Sequence, residues 1–212
     1  GSSSTFTVGL LHALYGLKGQ MAGKQQLAAD AIHIEQKMLR ESVGCQDQAA
    51  AAFGGFNKVE FGGQQKIAVH PITLSPAKLD LFQDHLMMFF TGLSRNASEI
   101  AREQIANADK NHRELHTMRR MVDQAMEILD RHDENLDDFG KLLHESWQLK
   151  RGLAPSITNS AIDEIYNSAL EAGAMGGKLL GAGGGGFMLF FVKPERQTGV
   201  RERLKHLLHV PF

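Results

Sequence analysis

Residues 178–187 read Lys-Leu-Leu-Gly-Ala-Gly-Gly-Gly-Gly-Phe, so five of the six positions from 181 to 186 are glycine. Apolar residues flank the run on both sides, which is not the setting of a flexible linker, and an apolar strand is predicted directly after it. Glycine is needed where the backbone takes positive φ or closely approaches another segment or a ligand. No Gly-Lys-Ser/Thr follows, which excludes a P-loop. The glycines also precede a strand instead of opening a helix, which argues against a dinucleotide-binding loop.

The composition is that of a folded chain of ordinary charge. Of 212 residues, 42% are hydrophobic and 22% charged, and 23 Lys and Arg against 24 Asp and Glu leave a formal net charge of -1. A substantial core is expected, and no basic excess argues for nucleic acid or an anionic membrane as the main partner. Cys45 is the only cysteine, and the longest apolar run is far below the roughly 18 to 20 residues of a membrane-spanning helix. We therefore expect a cytoplasmic protein.

Hydrophobic periodicity predicts an α+β chain in two domains, divided near Pro76. Upstream of this boundary it predicts helices over 6–17, 24–39 and 46–52, then a hairpin of runs 53–61 and 65–69 joined at Gly62 and Gly63. The first helix is expected to bury a stripe formed by Phe6, Val8, Leu10, Leu11, Leu14 and Leu17. Downstream it predicts a strand at 86–90, helices over 98–153 broken near 109–111 and 133–135, a helix over 159–172, a strand at 187–192 and a last helix over 194–206.

Three stretches before Pro76 carry groups suited to phosphate chemistry. Gly1, Ser2, Ser3 and Ser4 come immediately before the first helix, where backbone N–H groups and the positive helix end can bind phosphate, although serine there is also a common cap. Glu35 is expected at the edge of the second helix. Asp47 stands near the start of the third, where the helix dipole alone would also favour an acid. One carboxylate could accept a proton from a substrate hydroxyl while the other holds Mg²⁺.

Polar and cationic residues after Pro76 could bind a substrate phosphate. Thr91, Ser94 and Arg95 follow a predicted buried strand, and an arginine there could clamp a phosphate or lie on a solvated turn. Lys150 and Arg151 end a predicted helix, where cations also suit the helix dipole.

Three features, taken in chain order, resemble the motifs of the GHMP small-molecule kinases. They are Gly-Ser-Ser-Ser before a helix, a Glu twelve residues ahead of Asp-Gln, and the run Lys-Leu-Leu-Gly-Ala-Gly-Gly-Gly-Gly. Segments 41–48, 52–57, 91–95 and 178–187 look most like the D-glycero-α-D-manno-heptose 7-phosphate kinases, and sugar kinases related to fucokinase share part of the pattern. The resemblance covers essentially the whole chain. It implies the later part of a ribosomal-S5-domain-2-like N-terminal domain over 1–76 and a ferredoxin-like α+β domain over 77–212.

The resemblance also implies a function, namely ATP-dependent phosphorylation of the anomeric hydroxyl of a sugar phosphate. Residues implied to bind ATP are Gly1, Ser2, Ser3, Ser4, Gly181, Gly183 and Gly184, with Ser3 and Glu35 on Mg²⁺. Asp47 would be the catalytic base or orienting carboxylate. Residues implied to contact the sugar or its distal phosphate are Thr91, Ser94, Arg95, Lys150 and Arg151. The implied partners are ATP and a small sugar phosphate, with no nucleic acid or membrane, and a homodimer is compatible with the family.

The resemblance is incomplete at both ends of the chain. The family's first motif, the Gly-Leu pair that precedes Gly1 and much of the adenine pocket have no counterpart, and no strand follows Phe212. We therefore expect either a piece of a longer kinase or a degenerate chain. The alternatives are a fucokinase- or galactokinase-like enzyme and a non-catalytic remnant that binds nucleotide or a partner through the helices of 98–153.

Overall fold

The computed structural model describes residues 2–62, 67–93, 97–132 and 135–211. The chain divides into two compact units, Gly1–Thr73 and Leu74–Phe212, each with its own core. The predicted boundary at Pro76 lies beside this division. No helix in the described ranges combines the length and apolar character needed to cross a membrane.

The first unit consists of helices followed by a hairpin. Its helices are α1 (Ser2–Leu17), α2 (Lys24–His33), which continues into a π-helical segment (Ile34–Met38), and α3 (Gln46–Phe53). Its strands, β1 (Asn57–Phe61) and β2 (Ile67–Pro71), pair antiparallel, as the sequence predicts, although Gly63 of the predicted turn lies outside the described residues. The first strand is shorter than predicted, because α3 runs to Phe53 and the positive φ angles of Gly54 and Gly55, 63° and 76°, interrupt extended backbone.

Helix α1 packs with a different face from the one predicted. The residues turned into the unit are Ser4, Val8, Leu11 and Tyr15, which recur every three or four positions. The prediction of a buried stripe that includes Phe6, Leu10, Leu14 and Leu17 is wrong, since these side chains are 46–84% exposed. At 3.6 residues per turn, position 6 lies about 200° around the helix from position 4, so the two sets occupy opposite faces.

The second unit wraps helices around a four-stranded antiparallel sheet of order β4-β5-β3-β6. Its strands are β3 (Leu86–Phe90), β4 (Ala174–Leu179), β5 (Phe187–Val192) and β6 (Leu208–Val210). Its helices are α4 (Pro76–Asp84), α5 (Ala97–Ala106), α6 (His112–Asp130), α7 (Asp137–Gly152), α8 (Ser160–Glu171) and α9 (Gln197–Arg203). From β3 onward the order is strand, helices, two strands, helix, strand, which is the ferredoxin-like pattern. The predicted α+β class is confirmed.

Strand β4 and helix α4 were not predicted, and both have a local explanation. Ser75 caps α4 by accepting a hydrogen bond from Lys78 N, and Pro76 occupies the first turn, where its missing N–H costs nothing. Strand β4 reads Ala-Met-Gly-Gly-Lys-Leu, and its two glycines lower its β-propensity. The last helix ends at Arg203, earlier than expected.

The glycines of β4 let helix α7 lie directly on the strand. A Cβ added at Gly176 would fall 2.1 Å from Gly140 O and 2.7 Å from His144 N, both backbone atoms of α7. The close approach brings α7 against the core around Trp147, which is fully buried. The sheet and helix α7 are therefore in backbone-to-backbone contact at this point.

The side chain of Lys150, in the last turn of α7, holds the chain as it leaves β4. Its Nζ donates hydrogen bonds to Gly181 O (2.5 Å) and Leu179 O (3.4 Å). Burial, together with the neighbouring Lys178, lowers the pKa of Lys150 to about 8, and burial also lowers the pKa of Lys178. Burying the charged Lys150 side chain thus costs free energy, and its hydrogen bonds anchor the start of the glycine-rich run.

Replacing Gly176 by alanine should destabilise the second unit by about 3 kcal/mol, the upper end for overpacking, because backbone atoms cannot move away from the new methyl group. The matched control is Gly152→Ala, in α7 with open space around its Cβ position, which should change stability by less than about 1 kcal/mol. Trp147 is the only tryptophan, so its fluorescence during urea unfolding reports this unit. Equal stabilities for the two variants would contradict the packing.

The lowered pKa of Lys150 predicts a rise in stability with pH. Between pH 8 and the ordinary lysine value of 10.5, the folded chain has released this proton while the unfolded chain retains it, so the free energy of unfolding increases across that window. Lys150→Met should reduce the increase, whereas Lys141→Met, an exposed lysine on the same helix, should preserve it. Urea unfolding followed by Trp147 fluorescence at pH 8 and pH 10 measures the difference. An unchanged increase in Lys150→Met would be the contrary result.

Candidate functional site

Three buried polar side chains from different helical elements meet inside the first unit. Ser4 Oγ of α1 donates a hydrogen bond to Glu35 Oε2 at 2.8 Å, and Gln48 Nε2 of α3 donates to the same oxygen at 2.5 Å. Ser4 and Glu35 are each 4% exposed and Gln48 is 0% exposed. This Ser4–Glu35–Gln48 cluster therefore fixes a carboxylate between segments that are far apart in the chain.

Glu35 is buried because it continues the apolar stripe of α2. Leu27 and Ala31 precede it at four-residue intervals, and both are buried. The backbone then widens into the π-helical segment, where Leu39 N donates to Ile34 O at 2.8 Å, an i to i+5 bond. Such segments are rare and occur frequently at functional sites. The sequence predicts Glu35 at a helix edge, whereas the structure places it in the interior.

Two oxygens of the cluster are left unsatisfied. Within the described part of the chain, neither Glu35 Oε1 nor Gln48 Oε1 accepts a hydrogen bond, although both atoms are buried. A buried acceptor without a partner costs about 1–3 kcal/mol, so these two atoms are suited to a cation or to an incoming donor. The cluster is thus incomplete without a further group.

The donor chemistry of the cluster fits Mg²⁺ bound together with phosphates. No group of three or more His, Cys, Asp or Glu side chains that could hold a metal by itself is present among the residues described. Mg²⁺ characteristically takes one or two protein carboxylates and completes its shell with water and substrate phosphates. Glu35 supplies such a carboxylate, and its contact with Ser4 places it beside the first turn of α1.

The serines form the first turn of α1 instead of a loop before it. Helix α1 starts at Ser2, and N–H groups at the start of a helix can face an anion. Ser2 and Ser3 are exposed, while Ser4 is buried on Glu35. The contact of Ser4 was missed by sequence reasoning, although its four-residue spacing from buried Val8 was the available signal. The Mg²⁺ role of Ser3 stays a prediction, and Gly1 lies outside the described residues.

Asp47 is half-buried in the first turn of α3, directly before Gln48. The predicted base therefore lies on α3, the same short helix whose Gln48 side chain is hydrogen-bonded to the Glu35 carboxylate. Its role as proton acceptor stays a prediction.

The glycine-rich loop of the second unit packs on backbone from two other segments. Gly184 N donates to Ile157 O at 2.8 Å, and Gly186 N donates to Leu93 O at 3.1 Å. A Cβ at Gly183 would lie 2.8 Å from Ile157 Cα, and one at Gly185 would lie 2.3 Å from Leu93 O. Close backbone approach explains Gly183 and Gly185, while Gly181 and Gly186 have open space around the Cβ position and take positive φ angles of 76° and 102°. The predicted roles of Gly181, Gly183 and Gly184 toward ATP stay predictions, with the N–H of Gly184 already engaged inside the unit.

The predicted substrate-binding residues in the described ranges all hold the second unit together. The N–H and the Oγ1 of Thr91 both donate to Gly186 O, at 2.8 Å and 2.9 Å. Lys150 bonds the carbonyls already described, and Arg151 Nη2 forms a 2.7 Å ion pair with Asp163. Ser94 and Arg95 lie outside the described residues. Contact with a substrate stays a prediction for all five.

Comparison with known families and proteins gives consistent matches. The family model described as GHMP kinases N terminal domain matches residues 1–55, and the one described as GHMP kinases C terminal matches residues 121–209. The D-glycero-alpha-D-manno-heptose 7-phosphate kinase of Campylobacter jejuni is 30% identical over 207 residues, which cover 97% of this chain and 60% of that protein. A mevalonate kinase of Thermococcus sibiricus is 30% identical over 216 residues, which cover 97% and 59%.

A solved structure agrees with the sequence comparisons. The crystal structure of a D-glycero-D-manno-heptose 1-phosphate kinase from Bacteroides thetaiotaomicron matches with a TM-score of 0.73 and 27% identity, over 99% of this chain and 58% of that chain. The chain thus spans about three fifths of the length of these proteins. The predicted fold is confirmed. Because successive parts of the chain match the N-terminal and C-terminal domains of one family, the chain belongs to the GHMP kinases.

Proposed function

We propose that this chain carries the phosphoryl-transfer site of an ATP-dependent sugar kinase. Its acceptor would be the anomeric hydroxyl of a sugar phosphate, D-glycero-D-manno-heptose 7-phosphate, and it would work in the cytoplasm, in nucleotide-heptose biosynthesis. The observation that carries the proposal is the buried Ser4–Glu35–Gln48 cluster with its unsatisfied oxygens, next to the serine turn of α1. The heptose is favoured because a heptose kinase is 30% identical among the sequence relatives and another is 27% identical among the solved structures, whereas the solved mevalonate kinases are 19–20% identical.

The first task of such a site is to hold the triphosphate and offset its charge. Backbone N–H groups at the start of α1 and the exposed hydroxyls of Ser2 and Ser3 would bind phosphate oxygens, with the positive helix end favouring the anion. Glu35 and Ser3 would hold Mg²⁺, which when bound neutralises charge on the transferred phosphoryl group. The hydrogen bonds from Ser4 and Gln48 keep the Glu35 carboxylate in place for this task.

The second task is to prepare the sugar hydroxyl. Asp47 would accept the proton of the anomeric hydroxyl while the hydroxyl oxygen forms a bond to the γ-phosphorus. The bond between that phosphorus and the β,γ-bridging oxygen would break, and ADP would leave. The product is a sugar 1-phosphate that retains its distal phosphate. The candidates for contact with the sugar and that phosphate are Thr91, Ser94, Arg95, Lys150 and Arg151. Gly181, Gly183 and Gly184 would support the nucleotide side through the packed loop.

Asp47→Asn should lower kcat by about 10²- to 10⁴-fold, the usual contribution of a general base, with little change in the affinity for Mg-ATP. A coupled assay of ADP release with heptose 7-phosphate measures kcat, and isothermal titration measures nucleotide binding. Glu41→Gln, which removes an exposed acid near the same helix, is the matched control and should keep full turnover. Near-normal turnover of Asp47→Asn would rule out the assigned base. Turnover of the wild-type chain with mevalonate but not with the sugar phosphate would rule out the substrate.

A further inference from the structure

We propose that Gln48 is a positioning residue that holds one oxygen of the Glu35 carboxylate so that the other is presented to the cation. The inference rests on the proposed function, since it concerns how that site binds Mg²⁺. It gives a role to a side chain that the sequence motif contains but that neither the phosphate nor the proton-transfer chemistry uses.

Among the described residues, the hydrogen bonds to the Glu35 carboxylate all fall on one of its two oxygens. Ser4 Oγ and Gln48 Nε2 both donate to Oε2, at 2.8 Å and 2.5 Å, and they come from α1 and α3. Two donors on one oxygen restrict rotation of the carboxylate plane and leave the lone pairs of Oε1 unused. Oε1 is buried and has no donor among the described residues, so it is the oxygen available to a cation.

Packing alone does not account for an amide at position 48. Gln48 is 0% exposed, and its own Oε1 lacks a donor in the described ranges, which is a free-energy penalty that an apolar side chain of similar size would avoid. The compensating gain is the bond from Nε2 to a charged acceptor, which is stronger than a bond between neutral groups. The amide is therefore best explained by what it does to Glu35.

Gln48 also ties the carboxylate to the predicted base. It directly follows Asp47 in the first turn of α3, so one rigid helical turn carries both side chains. A clamp at position 48 thus fixes the Glu35 carboxylate relative to the backbone that carries Asp47. Ser4 does the same for the phosphate-binding turn of α1, because it belongs to that turn.

The test is a titration of Mn²⁺, a paramagnetic substitute for Mg²⁺, into the chain with a non-hydrolysable ATP analogue, followed by electron paramagnetic resonance. Gln48→Met keeps the size of the side chain and removes its donor, and should weaken Mn²⁺ binding by about 10-fold or more, as loss of a partner to a metal ligand does. The control is Gln36→Met. Gln36 is half-buried and donates to Val43 O at 2.9 Å instead of to Glu35, so its loss should leave Mn²⁺ affinity unchanged.

A double variant separates positioning from general loosening of the unit. Glu35→Gln should itself weaken Mn²⁺ binding, and adding Gln48→Met should then have no further effect if Gln48 acts only through Glu35. Circular dichroism checks that each variant folds. Gln48→Asn, whose shorter amide falls short of Oε2, replaces Gln48→Met if that variant does not fold.

Wild-type Mn²⁺ affinity in a folded Gln48→Met or Gln48→Asn variant would overturn the inference, as would equal losses in Gln36→Met and Gln48→Met. A different result would contradict the proposed function. In that case the wild-type chain would bind Mn²⁺ and nucleotide normally but would not transfer phosphate to a sugar.

Discussion

The first unit is organised around one buried carboxylate. Glu35 occupies a position of the apolar stripe of α2, where an ionised group is costly unless it is hydrogen-bonded. Ser4 and Gln48 supply those bonds from α1 and α3, so the three helical elements must meet at one point. The bonds leave Glu35 Oε1 without a donor among the described residues, and this is the oxygen that the proposed cation would use. In the proposed function, stability and phosphoryl transfer thus depend on the same atoms.

In the second unit, close backbone contacts at glycines determine how several elements pack. Gly176 brings α7 onto β4, and Gly183 and Gly185 bring the glycine-rich loop onto the chain at Ile157 and Leu93. These contacts leave no room for a Cβ. Packing within the unit therefore requires glycine at these positions, two of which lie in the run that resembles a nucleotide motif. A loop held this firmly can support a ligand without rearranging when one binds.

Much of this architecture could be predicted from the sequence, and the misses have physical causes. The strand at β5, the breaks between α5, α6 and α7, and the α+β class follow from periodicity and turn residues. Strand β4 was not predicted, because its glycines lower its strand propensity. One of them, Gly176, is required by the tertiary contact with α7. The burial of Glu35 was not predicted, because hydrophobic periodicity predicts the burial of apolar residues only. It gives no information about an acidic residue whose hydrogen-bond partners come from two distant helices. Ser4 was grouped with Ser2 and Ser3 because the motif alone does not tell which serine faces inward.

The central claim is that a buried, one-sidedly held carboxylate next to a serine turn serves phosphoryl transfer to a sugar. Phosphorus NMR of the chain mixed with Mg-ATP and D-glycero-D-manno-heptose 7-phosphate tests it most directly. We expect the γ-phosphate signal to be replaced by that of ADP and by a new phosphate resonance coupled to the anomeric proton, with the 7-phosphate signal retained. An unchanged spectrum, or release of inorganic phosphate alone, would contradict the account.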